Sequence, residues 1–410
     1  MALQQIDPRQ RIADLDALRG FALFGIFIVN IVYFGYPFLK IFTDAELFTG
    51  AGDQLTLRVV RFFFEGKFIT LFSLLFGLGF TMMAIRFVER ELPFYRVFYR
   101  RVAMLLAFGA AHFLLLWAGD ILFIYGLCAI LLPLFLNRSE KTLKIWIGIF
   151  LLVPVFIWAL FAGMIELAMH DPEIAAELNQ AREEMYVDVA EQNAWLINAY
   201  SSASFADVFE ARMIETGWMF KGMIFNPGGF FYIMAMFLIG VLWGKRNYAR
   251  RKDELLPNWN RKVKWMLPAG LLFTMFYLFA LSRTDVLWID WWTIIGSILF
   301  IMGTPLLTMS YSVLFINAFQ RMRDSFIGNG LAAVGRTALS NYLLQSVIAT
   351  TIFYGYGLGL YAQLSLPLLM LSALAIFGVQ MTFSQWYLRR WNMGPAEWLW
   401  RVVTYWKRPS

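Results

Sequence analysis

Apolar stretches as long as a bilayer is thick recur along the whole chain, and no other sequence feature constrains its fold as strongly. A transmembrane helix needs about 20 mostly apolar residues, within a range of roughly 17–25. Because every backbone polar group must be satisfied inside a bilayer, such stretches predict helices. We therefore expect an all-α fold, a polytopic transmembrane helix bundle of about ten spans. The predicted spans are 17–36, 68–85, 102–118, 120–136, 145–165, 228–244, 265–282, 290–313, 337–355 and 364–388.

The composition excludes most soluble classes. Of the 410 residues, 60% are hydrophobic and 15% are charged, whereas a soluble domain is about 45–50% apolar and about 25% charged. A disordered chain, a coiled coil and a soluble enzyme are therefore excluded. The single cysteine, Cys128, excludes an internal disulfide and a cysteine-based metal cluster.

The basic residues predict an orientation. A net charge of +7 would indicate nucleic acid in a polar protein, but membrane proteins concentrate Lys and Arg on the cytoplasmic side. With ten spans and the N-terminus inside, 27 of the 35 Lys and Arg fall inside and 8 outside. This asymmetry predicts an N-in, C-in topology and no nucleic-acid partner. The first span follows a sixteen-residue segment of which eight residues are polar, and it lacks a cleavage site, so we expect it to be retained.

Five segments follow from this topology. We expect a cytoplasmic N-terminal tail (1–16), a five-helix membrane half (17–165), an outward-facing acidic helical insertion (166–227), a second five-helix half (228–388) and a cytoplasmic amphipathic tail (389–410).

Local signals refine the segments outside the predicted spans. In the insertion, Asp171 as N-cap and Pro172 as first residue predict a polar helix over 172–200. With few aliphatic residues, the insertion cannot form an independent domain. Two stretches, Arg61–Lys67 and Gly394–Trp406, interleave aromatic and charged residues and predict interfacial segments, the second a helix that Pro395 starts.

Three polar residues in the first half are candidate catalytic groups. Asn30 lies in the outer half of the first span, where it serves either a site or an interhelical hydrogen bond. His112 is the only histidine in a predicted span, and its imidazole is a natural proton carrier or a partner for a neighbouring helix. Asp120, at the outer boundary, either acts chemically or caps the next helix.

Spacing separates two of these candidates. His112 and Asp120 are eight residues apart, about 12 Å on one helix, so they meet only if the helix breaks at Gly119. The second histidine, His170, lies in the acidic insertion and is expected to be a solvated surface residue.

Further polar residues are candidate substrate-binding groups. Asn341 and Gln345 share a helix face at an i, i+4 spacing, which predicts a polar seam or a cavity lining. Gln380, Ser384 and Gln385 do the same near the inner end of the last span. Asp16, Arg19 and Arg336 lie at the inner boundary, where arginines either bind phosphate or anchor the membrane topology.

Known catalytic motifs are absent from the sequence. It carries no phosphate-binding loop, no nucleophile elbow and no metal-ligand spacing, so we expect no metal. The glycine pair Gly77–Gly79 is better explained by close helix packing than by cofactor binding.

Several of these stretches resemble the YeiB family of bacterial multi-pass membrane proteins, a family of unknown function. The resemblance implies a protein of the bacterial cytoplasmic (inner) membrane whose main partner is the lipid bilayer, and it leaves a homodimer open. The matching segments, in the family's order, are RIADLDALRGFALFGIFIVN (11–30), KFITLFSLLFGLGF (67–80), HFLLLWAGDILFIYGL (112–127), GRTALSNYLLQSVI (335–348), FYGYGLGL (353–360) and GPAEWLWRVVTY (394–405).

The opening DLDALRG segment is also similar to the start of the wider transmembrane acyltransferase superfamily. Its members move an acyl group from cytoplasmic acyl-CoA to a sugar or similar acceptor at the other face. The resemblance implies that Asn30 matches an active-site asparagine and Arg19 the arginine of the opening motif. Those enzymes use a histidine in or just after the first span, but residues 1–111 contain none. Acyl transfer here would therefore need His112 or a carboxylate as base.

Two functions from different classes remain. An acyltransferase would use acyl-CoA as donor, a glycan or lipid headgroup as acceptor, and no other cofactor. A transporter or lipid-binding protein of the same fold would need a continuous polar path through Asn30, His112, Asn341 and Gln345. A structural scaffold is the third alternative.

Overall fold

The computed structural model describes residues 13–43, 48–225, 229–246, 251–285 and 287–406. Within these ranges the chain is helical and contains no strand, so the predicted all-α class is confirmed. The helices are α1 (Ala13–Gly35), α2 (Lys40–Thr43), α3 (Ala51–Phe63), α4 (Lys67–Glu89), α5 (Phe94–Leu115), α6 (Leu122–Leu131), α7 (Glu140–Ala168), α8 (Pro172–Ser201), α9 (Phe205–Phe225), α10 (Phe230–Lys245), α11 (Lys252–Leu281), α12 (Trp291–Met322), α13 (Phe326–Arg336), α14 (Ala338–Phe353), α15 (Leu366–Leu388) and α16 (Pro395–Tyr405).

Apolar helices account for every predicted membrane stretch. Three shorter ones, 122–135, 230–245 and 338–353, coincide with three of the predicted spans. Large apolar side chains such as Leu152, Phe156 and Leu160 lie exposed on α7, as a lipid-facing surface requires. Seven helical segments of the described chain are long and apolar enough to cross a membrane, and one of them, Ala51–Glu89, comprises α3 and α4. The seven are Ala13–Gly35, Ala51–Glu89, Phe94–Leu115, Glu140–Ala168, Glu254–Leu281, Trp291–Met322 and Leu366–Leu388.

Glycines let two helix pairs touch backbone to backbone. A Cβ atom on Gly77 of α4 would lie 2.0 Å from the carbonyl oxygen of Phe237 in α10. On Gly335, at the end of α13, it would lie 1.7 Å from the carbonyl oxygen of Asp16 in α1. Lipid gives helices no hydrophobic reason to associate, so such close packing is a main source of their cohesion. The packing role predicted for the Gly77–Gly79 segment therefore holds at Gly77.

The helix predicted within the insertion begins where expected, but the insertion is more deeply packed than its composition indicates. Asp171 caps α8 by accepting from the backbone N–H groups of Glu173 and Ile174, and Pro172 is the first residue of the helix. His170 is exposed, as expected. The predicted boundary between the insertion and the second half, at 227–228, lies outside the described residues.

The insertion's second helix, α9, also buries charge. Arg212 has no exposed surface and Glu215 retains 4%. Neither was expected in an acidic segment facing water.

The C-terminal helix α16 fixes the start of α14. Pro395 opens α16, as predicted, and Trp400 donates from its ring nitrogen to the carbonyl of Arg101 at 3.0 Å. Glu397 accepts from the backbone N–H groups of Leu339 (2.7 Å) and Ser340 (3.2 Å) in the first turn of α14. A negative charge at this position stabilises a helix, because the helix dipole is positive at its N-terminus. Residues 1–12 of the predicted N-terminal tail (1–16) and 407–410 of the predicted C-terminal tail (389–410) lie outside the described residues.

The close contact between α4 and α10 yields a stability prediction. Gly77→Ala should lower the unfolding free energy by about 1–3 kcal/mol, because the added methyl group meets backbone that cannot move aside. The matched control is Gly378→Ala in α15, where a Cβ atom would meet nothing within 4 Å. Thermal unfolding in detergent measures both variants. Equal midpoints for the two would contradict the packing role of Gly77.

Candidate active site

The end of α5 brings His112 and Asp120 together. The helix ends at Leu115, four residues before the expected break at Gly119, because the backbone N–H groups of Leu116 and Trp117 both turn back to the His112 carbonyl, at 2.8 and 3.0 Å. The chain then folds over itself before α6 begins. The two residues therefore meet despite their spacing, since they are not on one continuous helix.

Contacts from outside α5 stabilise this break. The buried Arg212 of α9 donates to the carbonyl of Leu114 at 2.7 Å, in the last turn of α5. A positive charge there stabilises the helix, because the helix dipole is negative at its C-terminus. At Gly119, a Cβ atom would lie 2.3 Å from the ring of Trp117, so only glycine fits this tight turn. The hydroxyl of Tyr342 in α14 lies 3.4 Å from the backbone nitrogen of Ile121. Arg212 therefore holds the chain just before the break and Tyr342 holds it just after.

His112 lies between a carboxylate and a hydroxyl. Its Nδ1 is 3.0 Å from Oδ1 of Asp120, and its Nε2 is 2.7 Å from Oγ of Ser346 in α14. The angle at the ring N–H does not meet hydrogen-bond geometry, so this is a close contact, and neither Nδ1 nor Oδ1 has a hydrogen-bond partner among the described residues. His112 and Ser346 are each 1% exposed, and Asp120 is 7% exposed. The three side chains form a buried Asp–His–Ser series.

This order favours one protonation pattern of a neutral imidazole. A carboxylate oxygen that accepts is best matched by a ring proton on Nδ1. Nε2 is then a lone-pair acceptor facing the Ser346 hydroxyl. The order carboxylate, imidazole, hydroxyl is the same as in the catalytic triad, in which a carboxylate orients a histidine base.

Asp120 takes the capping role that the sequence offered, and its other oxygen lies at His112. Its second oxygen, Oδ2, accepts from the backbone N–H of Phe123 at 2.7 Å and so stabilises the start of α6. The capping bond holds the carboxylate in place while Oδ1 faces His112.

A cavity of about 190 Å³ lies against this segment. Its walls are mostly apolar, from α1, α4 and α9, and include Trp117 and Phe68. The amide and carboxyl side chains on its wall are those of Asn30, Asp120 and Glu215. The structure therefore brings two of the predicted catalytic residues, Asn30 and Asp120, to one cavity, with His112 directly behind Asp120.

Glu215 is held on the cavity wall by two donors. The backbone N–H of Phe38 donates to Oε1 and the hydroxyl of Tyr200 to Oε2, each at 2.8 Å. Glu215 belongs to α9, outside the candidate spans, and burial raises its pKa to about 7, although both hydrogen bonds oppose that shift. It can therefore exchange a proton near neutral pH.

The predicted pair Asn341 and Gln345 forms a seam between helices and does not line the cavity. Asn341 donates to Ser384 at 3.0 Å, and Gln345 donates to Gln380 at 3.0 Å. Gln380 in turn donates to the Asn341 carbonyl at 3.1 Å. Of the two alternatives at this face, the structure shows the seam, which joins α14 to α15.

The predicted phosphate-binding residues lie away from the cavity. Arg19 donates to Asp16 at 2.8 Å near the start of α1, and eleven residues, about 16 Å of helix, separate it from Asn30. Arg336 donates to the carbonyl of Asn392 at 2.7 Å. The structure therefore gives both arginines partners within the protein.

Sequence reasoning missed Ser346, Arg212 and Glu215. Ser346 belongs to the same helix face as Tyr342, and only the three-dimensional fold places it at His112. Arg212 and Glu215 are spaced i, i+3 in a segment rich in acidic residues, where nothing marks them as buried. Among the described residues, no group of three or more His, Cys, Asp or Glu could hold a metal ion.

Comparison with known proteins decides the family. Residues 243–407 match a family model described as "Protein of unknown function (DUF418)". The chain is 34% identical to "Uncharacterized protein YxaH" of Bacillus subtilis (strain 168) over 417 residues, which cover 98% of this chain and 96% of that protein. The chain belongs to this family. It is also similar to "Uncharacterized protein YeiB" of Escherichia coli (strain K12), with 26% identity over 96% of each chain.

Membership of the YeiB-like DUF418 family confirms the family predicted from the sequence. A third relative, "Uncharacterized 39.9 kDa protein in amylase 3'region" of Bacillus acidopullulyticus, is 27% identical over 97% of this chain and 94% of its own. No solved structure matches the chain. The apolar helices and these relatives indicate a multi-pass membrane protein, and the likeness to acyltransferases stays a prediction.

The raised pKa of Glu215 predicts a pH-dependent stability. The folded state holds this proton more tightly than the unfolded state, whose ordinary value is near 4.5. The resulting stabilisation is complete below about pH 4.5 and is lost as the pH rises through about 7. The glutamine of Glu215→Gln cannot ionise, so its unfolding free energy should not fall as the pH rises. In the wild type this fall should be on the order of a few kcal/mol.

Thermal unfolding in detergent at pH 5 and pH 8 measures the effect. The midpoint of the wild type should fall further between the two than that of Glu215→Gln. Glu177→Gln, at an exposed position of α8, is the matched control and should behave as the wild type. An identical pH dependence in all three proteins would contradict the buried, protonated carboxyl.

Proposed function

We propose that this protein is a membrane-bound acyltransferase that moves an acyl group from cytoplasmic acyl-CoA to a hydroxyl or amine acceptor at the outer face. A sugar or a lipid headgroup would supply that acceptor. The observation that carries the proposal is His112, held by Asp120 beside a cavity that Asn30 and Asp120 line.

The proposed setting is the bacterial cytoplasmic membrane, with ten spans and both termini inside. Support comes from the coincidence of the ten predicted stretches with apolar helices and from the unequal division of Lys and Arg. In this orientation the break between α5 and α6 lies at the outer face of the membrane, where α9 of the insertion lines the cavity.

Each residue of the site has a role in this chemistry. His112 accepts the proton of the attacking group as general base, which typically contributes 10²–10⁴-fold to a rate. Asp120 orients the imidazole and stabilises the imidazolium that forms. The amide of Asn30 donates to the oxygen on which negative charge develops as the acyl carbonyl is attacked.

The donor would enter from the inner end. Arg19, one-third exposed, lies beside the backbone of Gly79 and offers a guanidinium for the phosphates of acyl-CoA. A donor held there must extend about 16 Å along α1 to bring its acyl carbonyl to Asn30. Arg336 is a second cation in the inner half of the predicted topology.

The contacts of the amide pair favour an enzyme over a transporter. A transport path through Asn30, His112, Asn341 and Gln345 needs all four to face one water-filled route. Asn341 and Gln345 are instead bonded to partners in α15 and are buried.

Turnover of acyl-CoA tests the proposal. Purified protein in nanodiscs made from bacterial lipid extract should release CoA thiol from acetyl-CoA or palmitoyl-CoA and form an acylated product. His112→Ala should abolish both, because the base is lost. Asp120→Asn keeps an oxygen that can cap α6 but not the negative charge, so kcat should fall roughly 10²–10⁴-fold with little change in KM.

The matched control is His170→Gln, which removes the exposed histidine of the insertion. It should turn over like the wild type. Unchanged turnover in His112→Ala would remove His112 from the mechanism. Absence of turnover with both donors, together with ligand movement across proteoliposomes, would replace the enzyme by a transporter.

A further inference from the structure

We propose that Ser346 is the nucleophile of this site and carries the acyl group as a covalent ester between donor and acceptor. The inference rests on the proposed acyl transfer and adds a catalytic residue to it. Its basis is the direction of Nε2, the atom of His112 placed to take a proton. That atom faces the Ser346 hydroxyl at 2.7 Å.

The hydroxyl of Ser346 lies closer to His112 than to the carbonyl of its own helix. Buried or half-buried serines in apolar helices usually bond to the carbonyl four residues earlier. Ser73, Ser310 and Ser312 do so in this protein, at 2.8, 2.8 and 2.7 Å. For Ser346 the corresponding distance, to the Tyr342 carbonyl, is 3.5 Å. Its short contact is the one to His112, so a purely helix-internal role does not account for its orientation.

The surroundings hold Ser346 in this register. Tyr342, one turn earlier in α14, has its ring 5.0 Å from the imidazole ring and its hydroxyl at the 116–121 segment. The start of α14 is fixed by Glu397. These two contacts, both on the N-terminal side of Ser346, fix the part of α14 that leads to the serine, as a positioned nucleophile requires.

Acyl transfer through Ser346 takes two balanced steps. First, Oγ attacks the thioester carbonyl of the donor while His112 takes the hydroxyl proton on Nε2. The carbon–sulfur bond breaks, and the departing thiolate receives that proton. Second, the acceptor hydroxyl or amine attacks the serine ester and gives its proton to Nε2. The ester bond to Oγ breaks, and Ser346 recovers its proton from His112.

Trp117 connects the cavity to the histidine of this series. Trp117 lines the cavity, and its ring lies edge-on to that of His112 with centroids 6.3 Å apart. His112 and Ser346 do not line the cavity and are almost fully buried. We therefore expect an acyl group to reach Ser346 past Trp117, so Trp117→Ala should open the approach.

A fluorophosphonate tests the serine without any assumption about donor or acceptor. The probe phosphonylates an activated serine with loss of fluoride, and peptide mass spectrometry locates the modified residue. Wild-type protein should be modified at Ser346, and Trp117→Ala should react faster. His112→Ala and Asp120→Asn should react at least about 100-fold more slowly. Ser310→Ala, which removes a buried serine bonded only to its own helix, should react like the wild type.

Acyl-CoA supplied without acceptor then tests the ester. Wild type should release about one equivalent of thiol and show an acyl adduct on the Ser346 peptide, and Ser346→Ala should do neither. The proposal is overturned if Ser346 stays unmodified by the probe in both wild type and Trp117→Ala. It is also overturned if Ser346→Ala transfers acyl groups normally, a result that leaves the proposed function standing. Probe modification that depends on His112, without thiol release, supports the activated serine and rejects acyl-CoA as the donor.

Discussion

The contact between His112 and Asp120, buried at the end of α5, is the interaction on which the rest of the site depends. A carboxylate removed from water is costly unless it is paired or hydrogen-bonded. Asp120 meets this requirement with one oxygen at the imidazole and the other at the backbone of Phe123. These two residues therefore join the end of α5 to the start of α6, and the second imidazole nitrogen is left facing Ser346 of α14. Loss of either partner would leave a buried polar group alone.

Close helix packing makes that contact reachable. The glycine contacts between α1 and α13, and between α4 and α10, bring backbones together where any larger residue would hold them apart. Helices in lipid gain little from burying apolar side chains, so cohesion comes from such contacts and from hydrogen bonds between helices. The seam of Asn341, Gln345 and Gln380 supplies the second kind. It positions α14, and with it Ser346, against the broken end of α5.

The fold was largely predictable, because a bilayer leaves an apolar stretch few alternatives to a helix. Asn30, His112 and Asp120 could also be found, since polar side chains are rare in such stretches. Their arrangement could not. Eight residues on a straight helix keep His112 and Asp120 apart, and the early end of α5 depends on Arg212 from a segment 98 residues away. Ser346 gave no signal, because serine is ordinary in membrane helices. Glu215 was hidden among acidic neighbours that remain in water.

The protonation pattern of His112 tests the central claim most directly. The chain has two histidines, so His170→Gln leaves His112 as the sole source of imidazole signals in histidine-labelled protein. Nitrogen-15 NMR of that protein in lipid should show the neutral ring with its proton on Nδ1 and a bare Nε2. Adding Asp120→Asn should shift the balance toward the other tautomer. A proton found on Nε2, or a pattern unchanged by Asp120→Asn, would contradict the account of an oriented base.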